Sequence, residues 1–128
     1  MFHKFNKSIF RAYDIRGIVA ETLSVKDAYY IGQNFAKQIK SKYKSCSIVV
    51  GYDGRLSSPI LEKNLLQGMY DAGAEITRIG VCSSPMLYYS TIKLQTDGGI
   101  MITGSHNPAN YNGFKILSKD ESYYGKKI

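Results

Sequence analysis

Ser47-Ile48-Val49-Val50-Gly51-Tyr52-Asp53-Gly54-Arg55-Leu56-Ser57-Ser58-Pro59 decides how this 128-residue chain folds. Its first six residues are mostly apolar and read as a buried strand. Asp53-Gly54-Arg55 is a turn. Ser57-Ser58-Pro59 opens a helix, with Ser58 as the predicted N-cap and Pro59 at the first helical position. Leu61, Leu65, Leu66 and Met69 make the inner face of that helix, and Gly73 is its predicted C-cap.

The same pattern extends in both directions. Upstream, Ser24 with Asp27 three residues later is a helix start, and Ala28, Ile31, Phe35 and Ile39 follow at helical spacing. The spacing predicts a helix over about 25–42, with Tyr29, Tyr30 and Ala36 widening its apolar stripe. Before it, residues 9–19 alternate and read as a strand or strand pair with Gly17 as a bend. Downstream, Glu75–Val81 is a strand, and Ser84-Pro85 starts a helix running to about 94. A strand at 99–103 comes next. Alternation of this kind predicts a single layered α/β/α domain with a mixed, mainly parallel sheet and right-handed crossovers. Functional loops of such sheets lie beyond the carboxyl ends of the strands. The Asp53-Gly54-Arg55 turn and the segment after residue 103 both fall there.

That second segment is Thr103-Gly104-Ser105-His106-Asn107-Pro108-Ala109-Asn110-Tyr111-Asn112-Gly113-Phe114-Lys115. Nearly every residue from Gly104 to Gly113 is a loop former, and Asn110, Asn112 and Gly113 tolerate left-handed backbone. Ser105 is a candidate nucleophile beside a glycine, His106 can donate, accept or carry charge, and Lys115 supplies a fixed positive charge. Hydroxyl, imidazole and ammonium together suit an anion, phosphate above all. Acyl transfer by a Ser-His pair fits less well, because neighbouring residues in extended chain point to opposite sides and no G-x-S-x-G elbow is present. An ordinary Asn/Gly/Pro loop with an incidental Ser-His pair is the bland alternative.

Composition narrows the classes. Hydrophobic residues make up 44%, which is well outside the disordered range. No apolar run reaches the eighteen residues of a membrane span, so the expectation is a soluble, cytoplasmic protein without a membrane partner. Cys46 and Cys82 form no C-x-x-C, and reduced thiols are expected. The net charge of +7 lies mostly in the first half of the chain. Lys37, Lys40, Lys42 and Lys44 crowd the end of the first helix, where they complement its dipole, and no RNA-binding motif or zinc finger accompanies them. Nucleic acid is therefore not the expected partner; an anionic small molecule is. G-x-G-x-x-G and Walker A sequences are absent, so nothing supports nucleotide binding.

Three segments carry a resemblance. They are Phe10-Arg11-Ala12-Tyr13-Asp14-Ile15-Arg16-Gly17, Val50-Gly51-Tyr52-Asp53-Gly54-Arg55-Leu56-Ser57, and Thr103 to Pro108 continuing through Asn112-Gly113-Phe114-Lys115. In this order and spacing the chain resembles the N-terminal domain of the α-D-phosphohexomutases of the bacterial phosphomannomutase/phosphoglucomutase type. The resemblance implies that Ser105 is a serine phosphorylated in the resting enzyme, which exchanges a phosphoryl group with hexose phosphates through a hexose 1,6-bisphosphate. It implies Mg²⁺, with Ser105 as one metal ligand. It also implies His106, Lys115 and Arg16 as catalytic residues, with Tyr13, Arg16 and Lys115 contacting substrate.

The family has four domains, and the chain resembles only the first. An Asp-Gly-Asp-x-Asp-Arg metal loop is absent, and no two of Asp14, Asp27, Asp53, Asp71, Asp97 and Asp120 lie two apart. One serine cannot hold Mg²⁺, which wants octahedral oxygen coordination. Two readings remain: a phosphoserine domain with little or no mutase activity alone, or a non-catalytic remnant that binds at most a sugar phosphate or another protein. Either should expose an apolar face, where missing domains would pack or copies would associate.

Overall fold

The computed structural model describes residues 3–10, 15–105 and 107–119, and the backbone of 122 and 123. Tyr13 and His106, both expected in the site, lie outside the described residues.

Helix α1 spans Val25–Tyr43. Its start is a reciprocal cap: the Asp27 N–H donates to Ser24 Oγ at 3.1 Å, and the Ser24 N–H donates to Asp27 Oδ2 at 2.8 Å. Such a cap is worth about 1 kcal/mol. Burying Ile31, Phe35 and Ile39 is worth roughly 1.5–3 kcal/mol each, so packing makes the helix and the cap fixes where it starts. Lys44 ends it in left-handed geometry. Tyr29 and Tyr30 sit at the rim of the apolar stripe: Tyr30 stacks on His3, and the Tyr29 hydroxyl donates to Asp71.

Strand β2 (Ser47–Tyr52) leads to α2 (Ser58–Asp71), β3 (Glu75–Val81), α3 (Ser84–Lys93) and β4 (Gly98–Ile102). Strand β5 covers Tyr111–Ser118, and β6 is Ser122–Tyr123. Near the N-terminus a 3-10 turn, Lys7–Ile9, precedes β1, Ile15–Ile18. Gly17 is thus inside a strand and not at a bend. A side chain there would strike Leu23 and Ile9, so the residue is small because of packing.

The sheet order is β1-β5-β4-β2-β3, with β6 on the second half of β5. β2 is parallel to β3 and β4, and β5 is antiparallel to β4, β1 and β6. Among the described strands, β5 alone runs against the rest, so the sheet is mixed and mainly parallel in direction. Helices α1 and α2 cover one face, over Ile48, Val50, Ile100, Ile102, Phe114 and Ile116. Helix α3 covers the other, with Leu87 against Val49 and Met101. α1 and α2 cross with their backbones nearly touching. A Cβ at Gly68 would lie 1.9 Å from the Tyr29 carbonyl oxygen, and one at Gly32 would lie 2.3 Å from that of Leu65.

Several local expectations shift. Ser57 and not Ser58 occupies the N-cap of α2, with no side-chain cap bond, because both serine hydroxyls are engaged elsewhere. Ser83 and not Ser84 caps α3, accepting from the Met86 N–H at 3.3 Å. Ala72 is the C-cap of α2; Gly73 follows it at φ +88°. Tyr111, Asn112 and Gly113 belong to β5 and not to the loop, since pairing with β1 extends the ladder to Tyr111. Among the described residues of the loop, the left-handed one is Ser105 itself, at φ +52°.

The outer face of α3 is apolar and open: Ile92 is 76% exposed and Tyr89 63%, beside exposed Met86 and Leu94. Among the described residues, no helix is long and apolar enough to cross a membrane.

Candidate active site

Register places the site. Lys115 on β5 pairs with Met101, and Arg16 on β1 pairs with Gly113, two residues before Lys115. Paired residues share a face and side chains alternate along a strand. Met101 faces α3, so Arg16 and Lys115 face that side too. They meet at the end of the sheet where β2 and β4 finish and α3 begins. There Arg16, Ser84, Pro85, Thr103, Ser105, Asn107 and Lys115 line a cleft of about 410 Å³.

The Ser105 loop is held from behind by the Asp53-Gly54-Arg55 turn. Asp53 Oδ2 accepts from the Gly104 N–H at 3.1 Å and from Arg55 Nε at 3.3 Å. Its Oδ1 accepts from the Arg55 N–H at 3.1 Å and Ser58 Oγ at 3.0 Å. Burial pushes the Asp53 carboxyl up, but the bonds from the Arg55 N–H, the Thr103 hydroxyl, the Gly104 N–H and Ser58 outweigh it and hold it below the usual carboxylate range.

Arg55 grips the loop itself. Nη1 donates to the carbonyls of Pro108 at 2.6 Å and Tyr111 at 3.2 Å, and Nη2 to those of Ser105 at 3.0 Å and Asn107 at 2.8 Å. Gly104 lets the guanidinium lie against the backbone: a Cβ there would stand 2.3 Å from Arg55 Cζ. Asn112 ties β5 to α2, its Nδ2 donating to Ser57 Oγ at 2.8 Å and Ser58 Oγ at 3.1 Å.

Ser105 is the strained point. Left-handed geometry costs a non-glycine residue about 1–3 kcal/mol, and such residues gather at functional sites. Its N–H donates to Thr103 Oγ1 at 2.9 Å. Its Oγ is buried and has no hydrogen-bond partner among the described residues. A buried hydroxyl left unsatisfied costs about 1–3 kcal/mol. Two independent costs therefore converge on one serine, in a cleft whose described lining residues include two cations and no carboxylate. The Ser84 hydroxyl and the Asn107 amide add polar groups of the kind a phosphate takes.

Of the residues expected from the sequence, the structure brings Ser105, Arg16 and Lys115 together. Asp53 and Arg55 were legible as a turn at the functional end of the sheet and as part of a resembling segment, without a role; their hold on the loop depends on contacts about fifty residues away in the chain. Ser84 carried no site signal of its own, and Thr103 and Asn107 stood out only as members of a resembling segment. The lining does not fit Mg²⁺ by itself. Ser105 is the expected oxygen ligand, and among the described residues no group of three His, Cys, Asp or Glu could hold a metal.

A larger cavity of about 580 Å³, lined by Tyr88, Ile92, Leu117 and Lys119 among others, opens between α3 and the far end of β5. Its lining holds the hydroxyls of Thr91, Thr96 and Ser118, and the one cation among its described lining residues, Lys119, already pairs with Asp97.

The chain matches the phosphoglucomutase/phosphomannomutase α/β/α domain I over residues 7–127. It is 46% identical over 121 residues to a phosphomannomutase/phosphoglucomutase of Pseudomonas aeruginosa, covering 94% of this chain and 26% of that protein. It is 42% identical over 122 residues to a phosphoglucomutase of Neisseria gonorrhoeae, covering 95% of this chain and again 26% of the other. A solved phosphoglucomutase/phosphomannomutase family protein of Burkholderia thailandensis superposes with a TM-score of 0.88 at 35% identity, over 97% of this chain and 29% of that one. The chain thus spans about a quarter of the length of the curated relatives it matches. Fold and sequence agree: the chain belongs to the phosphoglucomutase/phosphomannomutase family and forms its domain I.

Proposed function

We propose that this chain is the phosphoserine-bearing part of a phosphohexomutase, and that Ser105 is the residue that carries the phosphoryl group. The observation that carries this reading is the buried Ser105 hydroxyl, without a partner among the described residues, on a strained loop in a cleft with Arg16 and Lys115. Phosphoserine would give its phosphoryl group to a hydroxyl of a hexose monophosphate. The P–Oγ bond breaks, a P–O bond to the sugar forms, and the sugar's proton ends on Ser105 Oγ. The hexose 1,6-bisphosphate reorients and returns its other phosphoryl group, so phosphate moves between O1 and O6. Arg16 and Lys115 would hold the transferring group and offset its charge. His106 and Tyr13, from the resemblance alone, would line the same site.

Mg²⁺ would have Ser105 as one ligand, and its other ligands would come from outside this chain. Domains corresponding to the other three of the family would supply them, either in a longer chain or as a partner. We accordingly expect these 128 residues to accept a phosphoryl group at Ser105 without completing a mutase cycle. The setting would be the cytoplasm, where hexose phosphates are found.

The test is a mutase assay on this chain with glucose 1-phosphate and mannose 1-phosphate, Mg²⁺ and hexose 1,6-bisphosphate, with Ser105→Ala as control. No turnover is expected. Turnover that the control abolishes would show that one domain suffices and would overturn the incomplete-enzyme reading.

A further inference from the structure

We propose that Arg55 is the positioning residue of the Ser105 loop: it sets the geometry of phosphoryl transfer without touching the phosphoryl group. The inference rests on the reading of Ser105 as phosphoryl carrier.

A guanidinium has five N–H donors in a fixed, planar fork. All five of Arg55 are used within the chain. Nε goes to Asp53, Nη1 to the Pro108 and Tyr111 carbonyls, and Nη2 to the Ser105 and Asn107 carbonyls. None is left for a substrate, and the side chain is only 16% exposed. Arg55 is absent from the cleft lining, whereas Arg16 and Lys115 are part of it. The two neighbouring arginine and lysine charges thus bind, and Arg55 holds.

What it holds is the backbone of the nucleophile. The Ser105 carbonyl is fixed by Nη2, and its N–H is fixed by Thr103 Oγ1. With both flanking peptides pinned, the left-handed φ of +52° is imposed on Ser105 and its Oγ is left only side-chain rotation. Asp53 completes the device by binding Arg55 Nε and the Gly104 N–H with the same carboxylate oxygen. A lysine at position 55 has three donors on one atom and cannot span four carbonyls. Misplacing a reacting group by about 1 Å costs on the order of 100-fold in rate.

Gly104 gives an independent handle, since a methyl there would collide with the guanidinium while leaving Arg55 in the sequence. The experiment uses this chain as wild type, Arg55→Lys and Gly104→Ala. Two quantities are read: backbone amide hydrogen exchange of the loop, and the rate at which Ser105 takes a phosphoryl group from glucose 1,6-bisphosphate with Mg²⁺, followed by intact mass. Glucose 1-phosphate affinity is measured alongside. We expect both variants to keep slow exchange in β2 and β4 and to exchange at least about tenfold faster at Asn107 and Tyr111. Phosphoryl uptake should slow by about 10- to 100-fold with glucose 1-phosphate affinity unchanged. Unchanged loop exchange, or uptake at the wild-type rate, overturns the proposal. Weakened glucose 1-phosphate binding at a normal uptake rate overturns it too, since Arg55 would then be a binding residue. If the wild type takes up no phosphoryl group, the expectation of uptake by this chain alone fails separately, and loop exchange still decides whether Arg55 is the clamp.

Discussion

Asp97→Asn is expected to cost about 2 kcal/mol at neutral pH, and the cost should shrink as the solution is acidified. Asp97 ties three strands together at the end of the sheet opposite the cleft. Its Oδ2 accepts from Ser45 Oγ at 2.8 Å, the Ser47 N–H at 2.9 Å and Ser47 Oγ at 3.0 Å, and its Oδ1 accepts from Lys119 Nζ at 3.1 Å. Burial works to raise the carboxyl, but the Ser47 N–H, the Ser45 hydroxyl, Lys119 and the Ser47 hydroxyl together lower it from 3.8 to about 2. A depression of that size is worth roughly 2.5 kcal/mol by linkage, and solvent screening near Lys119 trims it to about 2. The folded value lies below the ordinary one. The contribution is therefore complete above pH 5, falls by about half near pH 3, and is gone once pH drops through the folded value. Urea unfolding of both proteins at pH 7 and pH 3 reads the difference. A wild-type advantage of about 2 kcal/mol at pH 7 and about 1 at pH 3 is predicted. An advantage that is the same at both pH values would refute the assignment, since it could not then come from the ionised carboxylate.

Lys115→Met should weaken glucose 1-phosphate binding by about tenfold while leaving the urea midpoint within error, because Lys115 faces the cleft and not the core; calorimetry and unfolding check the two halves. Gly68→Ala should destabilise by at least about 2 kcal/mol despite the better helix propensity of alanine, which offers only about 1 kcal/mol. The methyl would meet the Tyr29 carbonyl, and an equal or higher urea midpoint would contradict that geometry. The open apolar face of α3 should make the chain self-associate, with Ile92→Lys reducing it. Sedimentation that shows a monomer at all concentrations would count against it.

The alternation of elements was legible because it depends on local pattern. Apolar runs at 47–52 and 75–81 became β2 and β3 at those bounds. The Ser24–Asp27 cap set the start of α1 as read. What was not legible depends on distant partners. Ser58 looks like a cap in isolation, yet its hydroxyl meets Asn112 and Asp53, and Ser57 takes the N-cap position with its own hydroxyl bound to Asn112 and no side-chain cap bond. Asn112 and Gly113 look like turn residues, yet β1 recruits them into a strand. The Gly32–Gly68 crossing was invisible, because glycine in a helix pattern carries no sign of what presses on it. Ser105, Arg16 and Lys115 were found through residue chemistry and resemblance, whereas the role of Arg55, quoted only as part of a turn and a resembling segment, emerged when its five bonds could be traced.

The most direct measurement is to map phosphate on this chain by tandem mass spectrometry after incubation with glucose 1,6-bisphosphate and Mg²⁺. The account predicts one phosphoryl group on the peptide containing Ser105, at the Ser105 hydroxyl, and none in Ser105→Ala. Phosphate at another hydroxyl, or a chain that stays unmodified while glucose 1-phosphate still binds the cleft, would contradict it.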